Sequence, residues 1–342
     1  MLAVVQSARD LPSLEVEAFH LGSHAAVEQR ILADAGIPSR GLSVRGLRGS
    51  NPLLFGWNAL RLAAAVRPAL QAMKELQPDV VFTSGGYASA PVVAAARLRR
   101  TPTLLFSADV AAGLAIRFEA RLAQRIAVPV PEAAAGLPPE RTFVSGYPVR
   151  PGFDRLPEKT LAKKELGFAV DEPLLLCLGG SQGAHTLNEA IAGGLDRLLP
   201  ATQILHLAGA LDAPDLMGKQ SQRYRVEAFR EDIALALAAA DLCVSRAGAS
   251  TLGELPAAAL PAVLVPYPYA GGHQKYNAEV LAKAGGAVML TNDEVRGGAL
   301  VPLLVSLLKD LGRLTGMAGA MRAFSRPDAA RVLAEALLEL AA

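Results

Sequence analysis

The chain has 342 residues, enough for two domains of ordinary size, and 51% hydrophobic against 19% charged residues excludes wholesale disorder. A formal net charge of +2 argues against a general nucleic-acid binder, and five histidines, with His20 and His24 the one pair at HxxxH spacing and no CxxC, argue against a protein-held metal. Cys177 and Cys243 both lie in apolar runs and read as small core residues of a protein kept reduced, not as a disulfide.

In chain order, Leu2 to Ala8 predicts a helix, Val16 to Leu21 a strand, and Ala25 to Ala35 a helix stopped by Gly36. A doubly wound domain normally opens on a strand whose following loop carries chemistry, so that strand and loop are expected to be missing from this sequence. Ser43 to Leu76 carries Arg45-Gly46-Leu47-Arg48-Gly49, an apolar knuckle Leu53 to Trp57, and a long helix with Arg61 and Arg67. Leu62, Val66, Leu70 and Met73 read as that helix's core stripe and the arginines as its solvated face. The knuckle, ringed by arginine, suits either a core or an anionic membrane surface. Asp79 to Thr83 predicts a buried strand, followed by Ser84-Gly85-Gly86-Tyr87-Ala88-Ser89 and a helix. Glycines at a strand's carboxyl end mark the side where open α/β sheets bind ligands. Leu104 to Phe106, Ile126 to Val128 and Phe143 to Ser145 predict strands, with a helix over Leu114 to Arg125. Gly146-Tyr147-Pro148-Val149-Arg150-Pro151 then breaks regular structure and reads as an interdomain linker.

The second half repeats the alternation. Strands are predicted over Pro173 to Leu178, Gln203 to Leu207, Tyr224 to Glu227, Asp241 to Val244, Ala262 to Val265 and Ala287 to Leu290. A helix is predicted from His185 to Leu198, and the tail from Val301 ends in two helices, the last over Pro327 to Leu340. Strand alternating with helix implies parallel sheets covered on both faces. Domains are expected at 1–150 and 151–326, with 327–342 a C-terminal helix packing back on the first.

Three loops then fall at strand ends: Gly179 to Ala184, Arg246 to Glu254, and Tyr267 to Asn277. In Ser245-Arg246-Ala247-Gly248-Ala249-Ser250-Thr251-Leu252-Gly253-Glu254-Leu255 small residues sit where a strand hands over to a helix. Amides at a helix start lack internal partners, and the dipole there is positive, so small side chains let a phosphate approach. Glu254, one turn further in, is a good acceptor for two adjacent sugar hydroxyls. The same stretch also reads as an ordinary cap, because short Gly/Ser loops are weak motifs. Gly179-Gly180-Ser181-Gln182-Gly183 is not GxGxxG, so a dehydrogenase fingerprint does not fit.

Taken together the runs GLRG (46–49), PDVVFTSGGYASAP (78–91), GYPVR (146–150), LGGSQGAHTLNEAI (178–191), SRAGASTLGEL (245–255), LPAVLVPYP (260–268) and HQKYNAEVLAKAGGAVML (273–290) resemble the MurG family, the UDP-N-acetylglucosamine transferases of peptidoglycan synthesis. The resemblance runs from about residue 16 to the C-terminus. It implies the GT-B fold: two Rossmann-like doubly wound α/β domains with parallel sheets facing a cleft, nucleotide sugar on the C-terminal one and lipid acceptor on the N-terminal one. It implies an inverting hexosyltransferase that moves N-acetylglucosamine from UDP-N-acetylglucosamine to the muramyl 4-hydroxyl of lipid I, giving lipid II. Such an enzyme serves cell-wall biogenesis, cell shape and cell division as a peripheral protein on the cytoplasmic face of the membrane. No cofactor, metal or nucleic acid is implied.

Carried over by motif, Ser181 and Gln182 lie near the nucleotide and diphosphate, and the backbone at Arg230 reads uracil. Ala249, Ser250, Thr251, Leu252, Gly253 and Glu254 hold sugar and phosphates, with Glu254 on the ribose diol. Gln274 binds hydroxyls of the N-acetylglucosamine, and Arg150 is the linker arginine that joins the donor site. His273 stands beside Gln274, while His185, at a helix start, reads as solvated. The sequence departs from the family twice. The family's Gly-Gly-Thr-Gly-Gly-His loop, whose His is a leading candidate for the base, precedes the point where this sequence begins. Its His-Glu-Gln-Asn run is here Phe106-Ser107-Ala108-Asp109. Asp109 is the weak catalytic candidate that remains, with loop capping as its plainer role. These departures keep two alternatives open: a catalytically impaired nucleotide-sugar-binding paralogue, and a GT-B transferase with another lipid acceptor.

Overall fold

The computed structural model describes residues 1–11, 15–22, 26–42, 60–153, 155–179, 184–268 and 272–342. The GLRG run, the Leu53 to Trp57 knuckle, Ser181, Gln182 and Gly183 lie outside them. The chain divides into two compact units, Met1–Pro148 with Asp328–Ala342, and Val149–Pro327.

The first unit holds α1 (Leu2–Arg9), β1 (His20–Gly22), α2 (Ala26–Asp34), β2 (Ser39–Gly41), α3 (Val66–Leu76), β3 (Val81–Thr83), α4 (Ala90–Arg99), β4 (Thr103–Phe106), α5 (Leu114–Leu122), β5 (Arg125–Val128) and β6 (Thr142–Val144). Strands β3 to β6 form a parallel sheet in sequence order, and β1 pairs with β2, also in parallel. The strand predicted over Val16 to Leu21 is confined to His20–Gly22, the three residues that find partners in β2. On α3 the buried positions are Ala69, Ala72 and Met73, so of the predicted stripe Met73 is buried while Leu62, Val66 and Leu70 are only half-buried. Small side chains there let α3 pack closely on α4.

The second unit holds α6 (Lys159–Glu165), β7 (Leu174–Leu178), α7 (His185–Gly193), α8 (Leu195–Leu198), β8 (Gln203–Leu207), α9 (Gly209–Leu216), β9 (Tyr224–Glu227), α10 (Ile233–Ala239), β10 (Leu242–Ser245), α11 (Thr251–Ala257), β11 (Ala262–Leu264), α12 (His273–Lys283), β12 (Ala287–Met289), α13 (Asn292–Arg296), α14 (Leu300–Lys309) and α15 (Leu311–Phe324). Its six parallel strands run β12-β11-β10-β7-β8-β9 across the sheet. Counted within the unit this is the 3-2-1-4-5-6 order of a Rossmann sheet, read from the other edge. The central strand Leu174–Leu178 is almost wholly buried, as a strand covered on both faces must be.

Two helix predictions are corrected. The helix predicted over His185 to Leu198 breaks at Gly194, where a Cβ would stand 2.4 Å from Val301 Cγ2. The tail has three helices rather than two: α14, α15 and α16 (Ala329–Ala341), with Asp310 capping α15 by accepting from Arg313 N–H. Helix α16 belongs to the first unit, where Leu333, Ala334 and Leu337 share a core with Val4 and Ala8 of α1 and with Leu104 and Phe106 of β4. Cys177 and Cys243 are both buried free thiols.

Candidate functional site

The order of strands in the second unit reverses between β7 and β10, neighbours paired from Leu242↔Leu175 to Ser245↔Leu178. In open α/β sheets, ligands bind outside the carboxyl ends of the strands at such a reversal. One of the loops leaving β7 and β10 runs 179–184, and its residues 180–183 are outside the described set. The other is Arg246 to Ser250.

The second loop is held from behind. Arg246 Nη1 donates to the carbonyls of Val265 (3.1 Å) and Pro266 (3.4 Å) and to Asn292 Oδ1 (2.6 Å). Its guanidinium lies 5.6 Å from the Tyr267 ring centroid. Fully buried Asn277 donates to Ala247 O at 3.1 Å. Both residues tie this loop to the elements that follow β11, and neither was singled out from sequence. Gln274 Oε1 accepts the Tyr267 amide at 2.9 Å, which leaves the donor end of its amide for a ligand.

At the start of α11 the first amides are already paired by short-range bonds. Thr251, Leu252 and Gly253 donate to the carbonyls of Gly248, Ala249 and Ser250 at 3.0, 3.1 and 3.0 Å, and Glu254 N–H donates to Ser250 O at 2.8 Å. Tight i→i−3 bonding closes that first turn. The amides of Gly248, Ala249 and Ser250 take no part in these bonds. Leu252, 3% exposed, and buried Gly253 offer a ligand no side chain.

Glu254 and Arg150 are brought together from 104 residues apart. Arg150 Nε and Nη2 donate to Glu254 Oε1 at 3.0 and 2.8 Å. Glu254 is mostly buried and Arg150 is half exposed, with side-chain exposures of 14% and 56%. Such a pair contributes only about 0–1 kcal/mol to stability. Arg230 turns its guanidinium back onto Glu227, with Nε 2.9 Å from Oε2, so its backbone is what it can offer a ligand.

Helix α7 is fixed in place by a buried polar network. Asn188 Nδ2 donates to Ala208 O (2.8 Å) and Asp212 Oδ2 (2.7 Å), and its Oδ1 lies 2.9 Å from His206 Nε2. His206 Nδ1 is 2.9 Å from the Tyr224 hydroxyl. With Asn188 so oriented, His206 carries its hydrogen on Nε2 and accepts from Tyr224 at Nδ1, a fully satisfied neutral imidazole. Burial pushes its pKa down to about 4, with Asp212 pulling weakly upward. His185, at the exposed start of α7, pairs with Glu189 and Asp212 at 3.2 and 3.3 Å.

In the first unit, Phe106 and Ser107 are 3% and 1% exposed, and Phe106 stands edge-on to Tyr147 at 5.7 Å. The Ser107 hydroxyl has no partner among the described residues. Asp109 is partly exposed on the loop beyond them. No cluster of three His, Cys, Asp or Glu side chains suited to a metal occurs among the described residues.

Residues 5–128 match the glycosyltransferase family 28 N-terminal domain, and residues 174–333 match the family's C-terminal domain. The chain belongs to glycosyltransferase family 28. This family 28 enzyme is 38% identical over 317 residues to a UDP-N-acetylglucosamine--N-acetylmuramyl-(pentapeptide) pyrophosphoryl-undecaprenol N-acetylglucosamine transferase of Halorhodospira halophila, a match covering 90% of this chain and 86% of the relative. A protein of the same description from Nitratidesulfovibrio vulgaris is 36% identical, covering 95% and 90%. The crystal structure of Acinetobacter baumannii MurG superposes with a TM-score of 0.75 at 27% identity, covering 99% of this chain and 94% of that one. A UDP-GlcNAc 2-epimerase of Neisseria meningitidis, bound to UDP-GlcNAc, shares the fold at 12% identity with a TM-score of 0.70, covering 99% and 96%. The family 28 enzyme therefore has the GT-B fold and is a hexosyltransferase.

Proposed function

We infer that this enzyme transfers N-acetylglucosamine from UDP-N-acetylglucosamine to the muramyl 4-hydroxyl of lipid I, yielding lipid II for peptidoglycan. The observation that carries the donor half is the Arg150–Glu254 pair beside the amides of Gly248, Ala249 and Ser250 at the switch point of the second sheet. Both of the pair's contacts fall on Glu254 Oε1, so Oε2 is left for the ribose diol. Arg150, half exposed, can swing to the diphosphate when the diol takes its place. Ser181 and Gln182 complete the nucleotide side, the Arg230 backbone takes uracil, and the Gln274 amide takes the sugar. In the transfer, the acceptor oxygen bonds to the anomeric carbon from the face opposite UDP. The bond from that carbon to the β-phosphate oxygen breaks, UDP leaves with the electron pair, and the hydroxyl proton goes to a base. Backbone amides stabilise the charge that grows on UDP. Asp109 is the candidate base among the described residues, a role worth roughly 100- to 10,000-fold.

The lipid acceptor places the enzyme at the cytoplasmic membrane surface. Among the described residues no helix is long and apolar enough to cross a membrane. Helix α5 instead presents one exposed face with Leu114 and Phe118, 72% and 44% exposed, beside exposed Arg117 and Arg121. Bulky apolar side chains next to arginine suit an anionic lipid surface.

Glu254→Ala should weaken UDP-N-acetylglucosamine binding by roughly 1–3 kcal/mol, the scale of hydrogen bonds to a charged group. Unchanged affinity in calorimetry would remove Glu254 from the site. A second reading, nucleotide-sugar binding without turnover, draws on the burial of Phe106 and Ser107 where the family carries His and Glu. Transfer of labelled N-acetylglucosamine to a lipid I analogue separates the two: label in the product establishes turnover, and UDP-sugar binding with no product establishes the binder.

A further inference from the structure

Helix α5 buries a carboxylic acid. Ile116, Glu119, Ala120 and Ala123 follow the i, i+3, i+4, i+7 spacing of a core-facing stripe, and Glu119 is 0% exposed. Its carboxyl closes against the loop that leaves β3. Thr83 Oγ1 donates to Glu119 Oε2 at 3.1 Å and accepts the Gly85 amide at 3.0 Å. Ser89 Oγ lies 2.8 Å from Glu119 Oε1 and 2.9 Å from Gly86 O. Gly85 and Gly86 turn with φ of +76° and +131°. A Cβ on Gly85 would stand 1.9 Å from Ile116 Cδ1, so loop and helix interlock.

Counting hydrogens decides the state of this cluster. The Ser89 hydroxyl has one hydrogen and two neighbouring oxygens, Gly86 O and Glu119 Oε1. Both contacts are hydrogen bonds at once only if Ser89 donates to Gly86 and the carboxyl donates to Ser89. We propose that Glu119 is a positioning residue that holds the Ser84 to Ser89 loop in shape for the acceptor while its carboxyl keeps a hydrogen, and lets the loop loosen when that hydrogen leaves. Desolvation pushes the Glu119 carboxyl up to about 7, with Ser89, Thr83 and the Gly86 amide drawing it back. No charge opposes this among the described residues. Strands β3 and β4 offer no titratable side chain, and the loop offers only Tyr87. Helix α4 offers Arg97 and Arg99 at its exposed far end, and α5's own Arg117 and Arg121 are exposed. Only the link to the acceptor rests on the transferase reading; the proton count does not.

The test uses the full chain without substrates. Wild type and Glu119→Gln are compared by amide hydrogen exchange of residues 84–89 at pH 6 and pH 8. The glutamine can donate to Ser89 and accept from Thr83 at every pH. Equal protection at pH 6, and at least tenfold faster exchange of wild type at pH 8, is expected. Equal protection at both pH values overturns the proposal. If Glu119→Gln does not fold, carbon-13 titration of wild-type Glu119 decides: a midpoint near 7 shared by the Gly85 and Gly86 amide shifts supports it, and a midpoint below 5 overturns it. The acceptor link is read from kcat/KM for a lipid I analogue. It should fall between pH 6 and 8 relative to Glu119→Gln, and identical pH profiles overturn the link. A chain that transfers to no acceptor defeats the transferase reading and leaves the exchange result intact.

Discussion

Acidification should destabilise the second unit through His206. Its pKa falls from the ordinary 6.5 to about 4 in the folded protein, because burial leaves the imidazolium unsolvated. Below pH 6.5 the unfolded chain takes up a proton that the folded chain refuses. The folded state therefore keeps the full contribution above pH 6.5 and loses it as the pH falls toward 4. The slope is about 1.4 kcal/mol per pH unit, and the sum over this window is about 3 kcal/mol. Protonation at Nδ1 would also cost the acceptor that Tyr224 uses at 2.9 Å. The perturbation is His206→Gln, which removes the titration. The assay is native-state hydrogen exchange of the β8 amides, Gln203 to Leu207, from pH 7 to 4, corrected for intrinsic rates. Glutamine in place of the ring should lower stability at every pH, so slopes are compared and not absolute values. Wild type should lose about 3 kcal/mol more across the window than the variant. Parallel slopes would refute the claim that His206 is held neutral.

Two further changes probe the surfaces around the site. Leu114→Glu with Phe118→Glu should reduce co-sedimentation with anionic vesicles at least tenfold while leaving UDP binding unchanged, and undiminished vesicle binding would move the membrane contact elsewhere. Arg246→Ala removes three hydrogen bonds that hold the loop after β10 and should weaken UDP affinity about tenfold, with stability lowered by roughly 1–3 kcal/mol. An intact affinity in calorimetry would show that the loop keeps its shape without the clamp.

The strands were legible because a sheet covered on both faces demands continuous apolar runs, as in Leu174 to Leu178. Helix ends were less so. At Gly194, where the helix breaks, Val301, 107 residues away, stands close enough to exclude a Cβ. Helix α13 was missed although Thr291 and Glu294 form a capping box whose T-x-x-E spacing stands in the sequence. In the site, the stretch 245–255 announced itself by its small residues, but the i→i−3 closure of its first turn did not. The Arg150–Glu254 pair and the Arg246 clamp join distant segments, so no local pattern carries them. Glu119 did leave a signal, an acid on the apolar stripe of a helix, which composition and motif spacing pass over.

Soaking crystals in UDP tests the account most directly. Density for the diphosphate against the amides of Gly248, Ala249 and Ser250, with the ribose diol on Glu254, is the predicted result. Well-ordered UDP anywhere else on the second unit, with the Arg150–Glu254 contact undisturbed, would contradict it.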